Sequence, residues 1–282
     1  MKIMKQGFGI SIRKKSKLNT TNIHRYSIPY LVDRIIEQAD IILEILDARF
    51  IEETRNIHIE NEAKKLGKIV IYVLNKSDLV DVNKLKRNKE FTELNPIIFF
   101  SCRNRKGVSA LRRMIKIKAR DMKKEAVSVG VIGYPNTGKS SIINLLTGRA
   151  AARTSPEAGF TKGVQKVRLA SNLYLIDSPG LIPLNETSGS RGYIIKHLQI
   201  GAKTWDKAYD PDMVINKIMK ENPGLLEDYY KIEAEGDSEV LIEQLGRKLY
   251  YLKKGNLIDS SRVARQILRD WQEGKIKVNK LR

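Results

Sequence analysis

Two short strings of this chain carry residue types suited to nucleotide chemistry. Gly133-Tyr134-Pro135-Asn136-Thr137-Gly138-Lys139-Ser140 has the spacing of a P-loop. Its glycines let the backbone turn tightly and aim N–H groups at a phosphate, beside the N-terminus of a helix from Lys139 to Leu146. Lys139 is expected to reach the outer phosphates and Ser140 to place its hydroxyl on Mg²⁺, with Thr137, Gly138 and Ser141 completing the cradle. The second string, Asn75-Lys76-Ser77-Asp78, supplies a carboxylate. Asp78 can accept two hydrogen bonds from the ring N–H and exocyclic amine of guanine, donors that adenine does not present in that arrangement. Facing adenine, a buried carboxylate would be left unpaired at about 1–3 kcal/mol. Lys76 would lay its aliphatic stem along the base while Asn75 braces the loop. The chemistry implied is recognition of GTP or GDP.

Further residues extend this reading. Asp177-Ser178-Pro179-Gly180 closes an expected strand, Leu173 to Ile176, where Asp177 can hold a Mg²⁺-bound water and the Gly180 N–H can meet the γ-phosphate. Between this string and the P-loop, Thr161 is the expected switch threonine, donating its hydroxyl to Mg²⁺ only with the γ-phosphate present; Thr154 is its rival. Leu181 stands where many GTPases place a water-orienting Gln, so unassisted hydrolysis should be slow. Asn136 either shapes its loop or helps hold K⁺. The guanine string precedes the P-loop, the reverse of the usual order, and this implies circular permutation.

These motifs need strands that end beside one another. Leu31 with Ile35 and Val32 with Ile36 fall at helical spacing up to Asp40, and the apolar run Ile41 to Leu46 reads as a strand. A helix around Arg55 to Leu66, a strand Lys68 to Leu74, a polar helix after Val82, a strand Pro96 to Phe100, a helix Val108 to Met122 and a strand Ala126 to Ile132 follow. The alternation predicts an α/β fold whose mostly parallel sheet carries helices on both faces and binds ligands at strand carboxyl ends. Beyond Tyr193 the apolar spacing is helical: Val214 and Ile218; Leu241, Leu245 and Leu249; Val263, Ile267, Leu268 and Trp271. The expected organisation is a basic arm over 1–28, a circularly permuted P-loop G domain over 29–184, and a small all-helical C-terminal domain over 185–282, linked directly to the switch loop.

The collected motifs resemble the circularly permuted GTPases of the YlqF/RbgA and YawG type, over nearly the whole chain. Leu46-Asp47-Ala48-Arg49 matches a hallmark of that family, although a strand-ending turn with a salt bridge explains it equally well. Ser101-Cys102-Arg103 looks like the Ser-Ala-Lys loop that backs the base, with Cys102 in place of Ala contributing its backbone N–H. The resemblance implies a GTP-hydrolysing ribosome assembly factor that acts on the large subunit, with nucleotide state controlling binding and release. It also implies Mg²⁺ as cofactor and stimulation by K⁺ or the particle. The alternatives are a GTP-controlled RNA-binding adaptor with incidental hydrolysis, and a mitochondrial homologue of the same factor.

Composition narrows the partner. Lys and Arg number 52 against 32 Asp and Glu in 282 residues, a net charge of +20 that points to a polyanion, here a ribosomal subunit and its rRNA. The first acidic residue is Asp33, so the amino-terminal stretch reads as an RNA-binding arm, a transit peptide or a solvated tail. Arg262, Arg265 and Arg269, with Lys275, Lys277 and Lys280, form one candidate phosphate-binding line; Arg112, Arg113, Lys116, Lys118, Arg120, Lys123 and Lys124 form another. A single Cys102 excludes an internal disulfide, and the three scattered histidines suggest no metal site. No apolar run is long enough for a membrane span. A cytoplasmic monomer is expected.

Overall fold

The computed structural model describes residues 28–88, 91, 93–148, 165–178 and 180–278. Its elements run α1 Ile28–Gln38, β1 Ile41–Asp47, α2 Ile51–Thr54, α3 Ile57–Lys65, β2 Ile69–Asn75, α4 Val82–Arg87, β3 Ile97–Phe99, α5 Val108–Asp121, β4 Val127–Ile132 and α6 Lys139–Thr147. They continue with β5 Gln165–Ala170, β6 Leu173–Asp177, α7 Arg191–Gln199, α8 Pro211–Glu221, α9 Leu225–Tyr230, α10 Ser238–Lys248, β7 Leu252–Lys253, β8 Leu257–Ile258 and α11 Ser260–Gln272.

Six strands form one sheet in the order β3-β2-β1-β4-β6-β5. β1 is buried along its whole length, as expected of a central strand covered by helices on both faces, and it pairs in parallel with β2 and with β4. β6 pairs in parallel with β4, so four strands end on one edge at Asp47, Asn75, Ile132 and Asp177. The strand that feeds the P-loop is fourth in the chain yet central in the sheet. That is the topological form of the permutation inferred from motif order.

One layer of core, from Ile41, Leu43, Ile45, Val129 and Val131, packs against α5 and α6; the other, from Ile42, Leu46 and Ile132, packs against α1 and α3. A third cluster gathers Leu198 through Val278 around the fully buried Trp271. It also takes in Phe50 and Tyr134 from the loops after β1 and β4, so the helical unit is seated on the same edge of the sheet as the motifs.

Two features were not anticipated. β5 runs antiparallel to β6 at the sheet edge, in a stretch read as a polar connection. There Lys166 and Arg168 face out while Val167 is buried, and two alternating apolar residues carry too little signal. The C-terminal helices also include the two-residue strands β7 and β8, joined by a turn with Gly255 at φ +81° and Asn256 at φ +60°. Gly255 therefore turns a hairpin and does not stop a helix: α10 already ends at Lys248, where Leu249 is the C-cap.

Candidate nucleotide site

The P-loop is held by its neighbours. Gly138 has φ +99°, and a Cβ there would stand 2.3 Å from the side-chain nitrogen of Asn75. That contact has a purpose: Asn75 Nδ2 donates to the Thr137 carbonyl at 2.7 Å, while its Oδ1 accepts from the Cys102 N–H at 3.3 Å. One buried amide thus ties the guanine string, the Ser101 loop and the P-loop together, each group satisfied in a dry place. Gly180 serves similarly on the other side, since a Cβ there would meet the Pro135 backbone at 2.7 Å. The Leu181 N–H donates to the Gly133 carbonyl at 3.1 Å, and the Leu181 side chain is buried among the residues under the sheet.

On the guanine side, Ser101 Oγ donates to Asp78 Oδ1 at 2.6 Å and accepts from the Asn104 N–H at 3.0 Å. Lys76 has φ +59°, a strained position for a lysine, and its amine reaches Asp47 Oδ2 at 2.7 Å. Burial raises the Cys102 thiol to about 11, so it stays neutral, and its backbone N–H, expected to back the base, is engaged by Asn75.

On the phosphate side, Lys139 is buried with its amine on the Gly133 and Tyr134 carbonyls at 3.0 and 2.7 Å. Burial lowers it to about 8, against the pull of Asp177. Burial likewise raises Asp177 to about 6, with Lys139 and Ser140 opposing. Ser140 Oγ lies 3.3 Å from Asp177 Oδ2, and Asp177 Oδ1 is buried without a partner. A hydroxyl beside a carboxylate with an unpaired oxygen suits a hydrated Mg²⁺. Ser141 is half-buried in the first turn of α6.

Thr161 and its rival Thr154 lie outside the described residues. Asn136 has φ +60°, and its Nδ2 donates to the Gly201 carbonyl at 2.8 Å, so the P-loop touches the helical unit directly. A role as cation ligand would fall to its amide oxygen.

Sequence reasoning missed a second polar junction. Tyr134 Oη donates to Glu186 Oε1 at 2.9 Å, Lys196 donates to the same oxygen at 2.6 Å, and His197 Nε2 lies 2.8 Å from Glu186 Oε2. Burial lowers the His197 pKa against the pull of Glu186. This cluster locks the segment after the switch loop onto the P-loop tyrosine. Nothing in the local pattern around Glu186 signals it, because Tyr134 lies 52 residues away and no regular period relates Glu186 to Lys196 and His197 across the turn between them. Among the described residues no group of His, Cys, Asp and Glu is arranged to hold a metal ion by itself.

Known proteins resemble this chain in sequence and in fold. Residues 128–235 match the family described as 50S ribosome-binding GTPase. An uncharacterized GTP-binding protein of Methanocaldococcus jannaschii is 38% identical over 255 residues, 89% of this chain and 66% of that protein. Nucleolar GTP-binding protein 2 of Saccharomyces cerevisiae is 34% identical over 250 residues, 86% of this chain and 51% of that protein. The chain thus spans about half to two thirds of the length of these curated relatives. Among solved structures, a GDP-bound YlqF superimposes with a TM-score of 0.65 at 24% identity, covering 89% of this chain and 98% of that one. A GNP-bound YlqF from T. maritima gives 0.62 at 23%, covering 87% and 93%.

Proposed function

We propose that the chain, which has the fold of YlqF and resembles GTP-binding proteins in sequence, is a circularly permuted GTPase that binds and hydrolyses GTP to time its attachment to a maturing ribosomal particle. The large subunit is the particle this reading favours. The observation that carries it is the Asn75 amide, which joins three loops of suitable chemistry at the carboxyl edge of one sheet. In this reading Asp78 pairs with guanine, Ser101 fixes the Asp78 carboxylate, Lys76 flanks the base and Cys102 lends its backbone. Lys139 exchanges two backbone carbonyls for phosphate oxygens, a gain because charged acceptors bind an ammonium more strongly than neutral ones. Ser140 and Asp177, with Thr161, would hold Mg²⁺, which supplies charge neutralisation to the phosphates when bound. Thr137, Gly138, Ser141 and Gly180 contribute the surrounding backbone, and Asn136 the ligand for K⁺.

Hydrolysis is slow without stimulation, because Leu181 is buried and offers no group to position water. The domain boundary near 184 and 185 is part of the proposal, supported by the separate core around Trp271. So are a monomeric state and a cytoplasmic site of action. Among the described residues no helix is long and apolar enough to cross a membrane.

rRNA contact rests on exposed basic side chains. Arg113, Lys116 and Arg120 lie exposed on α5 around a surface hollow of about 430 Å³, whereas Arg112 is spent capping α6 through the Leu145 and Leu146 carbonyls. The C-terminal line is more engaged: Arg269 pairs with Glu273, Lys275 with Asp270, and Arg262 stacks on Tyr251. Lys280 lies outside the described residues.

Asp78→Asn tests the base assignment: preference should pass from guanine to xanthine nucleotides by tenfold or more, about 1–3 kcal/mol. An unchanged preference in equilibrium binding would remove Asp78 from recognition. Cosedimentation with immature subunits should be stronger with a GTP analogue than with GDP and should weaken with salt. Indifference to both would defeat the assembly reading, and hydrolysis unstimulated by particles would favour the adaptor.

A further inference from the structure

Asp47 and Arg49 sit outside the nucleotide residues just described, yet they form the most enclosed ion pair among the described residues, with side chains 0% and 1% exposed. Asp47 ends β1 directly opposite Asn75 of β2, and the Ala48 N–H donates to the Asn75 carbonyl at 2.8 Å. Four donors converge on its carboxylate. Oδ1 takes the Arg49 backbone N–H and Nε, both at 3.0 Å; Oδ2 takes Arg49 Nη2 at 2.8 Å and Lys76 Nζ at 2.7 Å. Burial opposes its charge, but Arg49 and Lys76 outweigh burial and hold Asp47 well below the usual carboxylate range.

The guanidinium of Arg49 has a second task. Its remaining Nη1 donates to the Trp271 carbonyl at 2.9 Å, in the last turn of α11. A cation there adds to the Gly274 N–H that this helix-terminal carbonyl already accepts at 3.1 Å, and lies at the negative end of the helix dipole. The group also lies over the rings of Phe50 and Trp271, whose centroids are 5.8 Å apart. Trp271 Nε1 in turn donates to the Gln199 carbonyl at the end of α7. A single planar fork therefore grips the β1 carboxylate with two nitrogens and the helical unit with a third, which a lysine cannot do.

We propose that Asp47 and Arg49 are positioning residues that couple occupancy of the guanine loop to the seating of α11 on the sheet. Rested on the reading that Lys76 flanks guanine, the coupling is positive. A base packed along the Lys76 stem restricts that side chain and keeps its amine on Asp47. The carboxylate then stays aligned with the Arg49 fork, and the fork stays on Trp271. In a dry site these contacts reinforce one another, so the base and α11 each favour the other's arrangement. The motif Leu46-Asp47-Ala48-Arg49 thereby gains a role beyond closing a strand.

Amide hydrogen exchange read by mass spectrometry, on the full chain with GDP, with ADP and without nucleotide, tests this. GDP should slow exchange in the P-loop and also in the last turn of α11, the latter by about tenfold, the scale of a typical coupling energy. ADP should do neither. In Arg49→Lys, which keeps a cation beside Asp47, the P-loop effect should persist and the α11 effect vanish. Protection of the P-loop alone in the parent overturns the coupling while leaving guanine binding intact; so does protection of α11 that survives in Arg49→Lys. Protection of neither region in the parent overturns the nucleotide reading and the coupling together. Should Arg49→Lys fail to fold, Asp47→Asn, which leaves the base-flanking lysine in place and removes the charge that aligns the Arg49 fork, carries the same test: α11 protection retained in that variant overturns the proposal, and its loss beside a protected P-loop supports it.

Discussion

The guanine half of the site and its phosphate half differ in how fully the chain satisfies its own polar groups. Around the base loop each polar side chain has a protein partner: Asn75 bonds Thr137 and Cys102, Ser101 bonds Asp78, and Lys76 bonds Asp47. Around the phosphate loop Asp177 keeps a buried oxygen without a partner, and Lys139 is held by neutral carbonyls far from its ordinary pKa. The difference teaches a division of labour. In the proposed reading, the acceptors that would meet guanine are fixed by bonds within the protein, whereas the charges that would meet phosphate and Mg²⁺ are held under the cost of desolvation and would be relieved by what they bind.

The largest effect should follow from removing the stored cation. Lys139→Ala should lower GTP affinity by roughly a hundredfold, about 2–3 kcal/mol for a charge-assisted contact, in calorimetric titration. An unchanged affinity would mean that the amine never leaves the Gly133 and Tyr134 carbonyls, and the contrast between the halves would fail.

A second test reads the desolvation itself, in urea unfolding of nucleotide-free protein across pH. Asp177 rises from 3.8 unfolded to about 6 folded, so the folded state binds its proton more tightly. Its contribution is therefore present at low pH and lost as pH rises from about 4 to about 6. Lys139 falls from 10.5 to about 8, so stability returns as pH climbs from about 8 to 10.5. Glu44, buried in β1 with one unpartnered oxygen and raised by burial and by Glu60, adds to the falling limb. The difference between parent and Asp177→Asn isolates the site: the variant should lose part of that limb, and superimposable profiles would count against a strained Asp177.

The smallest effect belongs to the base half. Cys102→Ala should cost no more than about 1 kcal/mol of stability, the scale of losing one half-buried sulfur, and leave GDP affinity alone, because Cys102 serves through its backbone N–H to Asn75. A much larger loss in denaturant titration would show that the thiol itself shapes the pocket.

Much of this was legible in the chain. Apolar runs such as Ile41 to Leu46 and Lys68 to Leu74 placed β1 and β2, since central parallel strands must be apolar on both faces. The P-loop glycines announced themselves because only glycine accepts the turns and approaches found at Gly133 and Gly138. β5 escaped notice because an edge strand with one solvated face carries half the apolar signal.

By itself the sequence determined which residue types end the strands, the order in which they come, and hence the permuted sheet and the class of ligand. These follow from local rules of period, turn and backbone freedom, which act within a few residues. Only the tertiary structure decided that Arg49 caps α11, that Asn136 reaches Gly201, and that Glu186 joins Tyr134 to His197. Those contacts join residues up to 222 positions apart, where charge and hydrogen bonding select partners by proximity in the fold and leave no period in the chain.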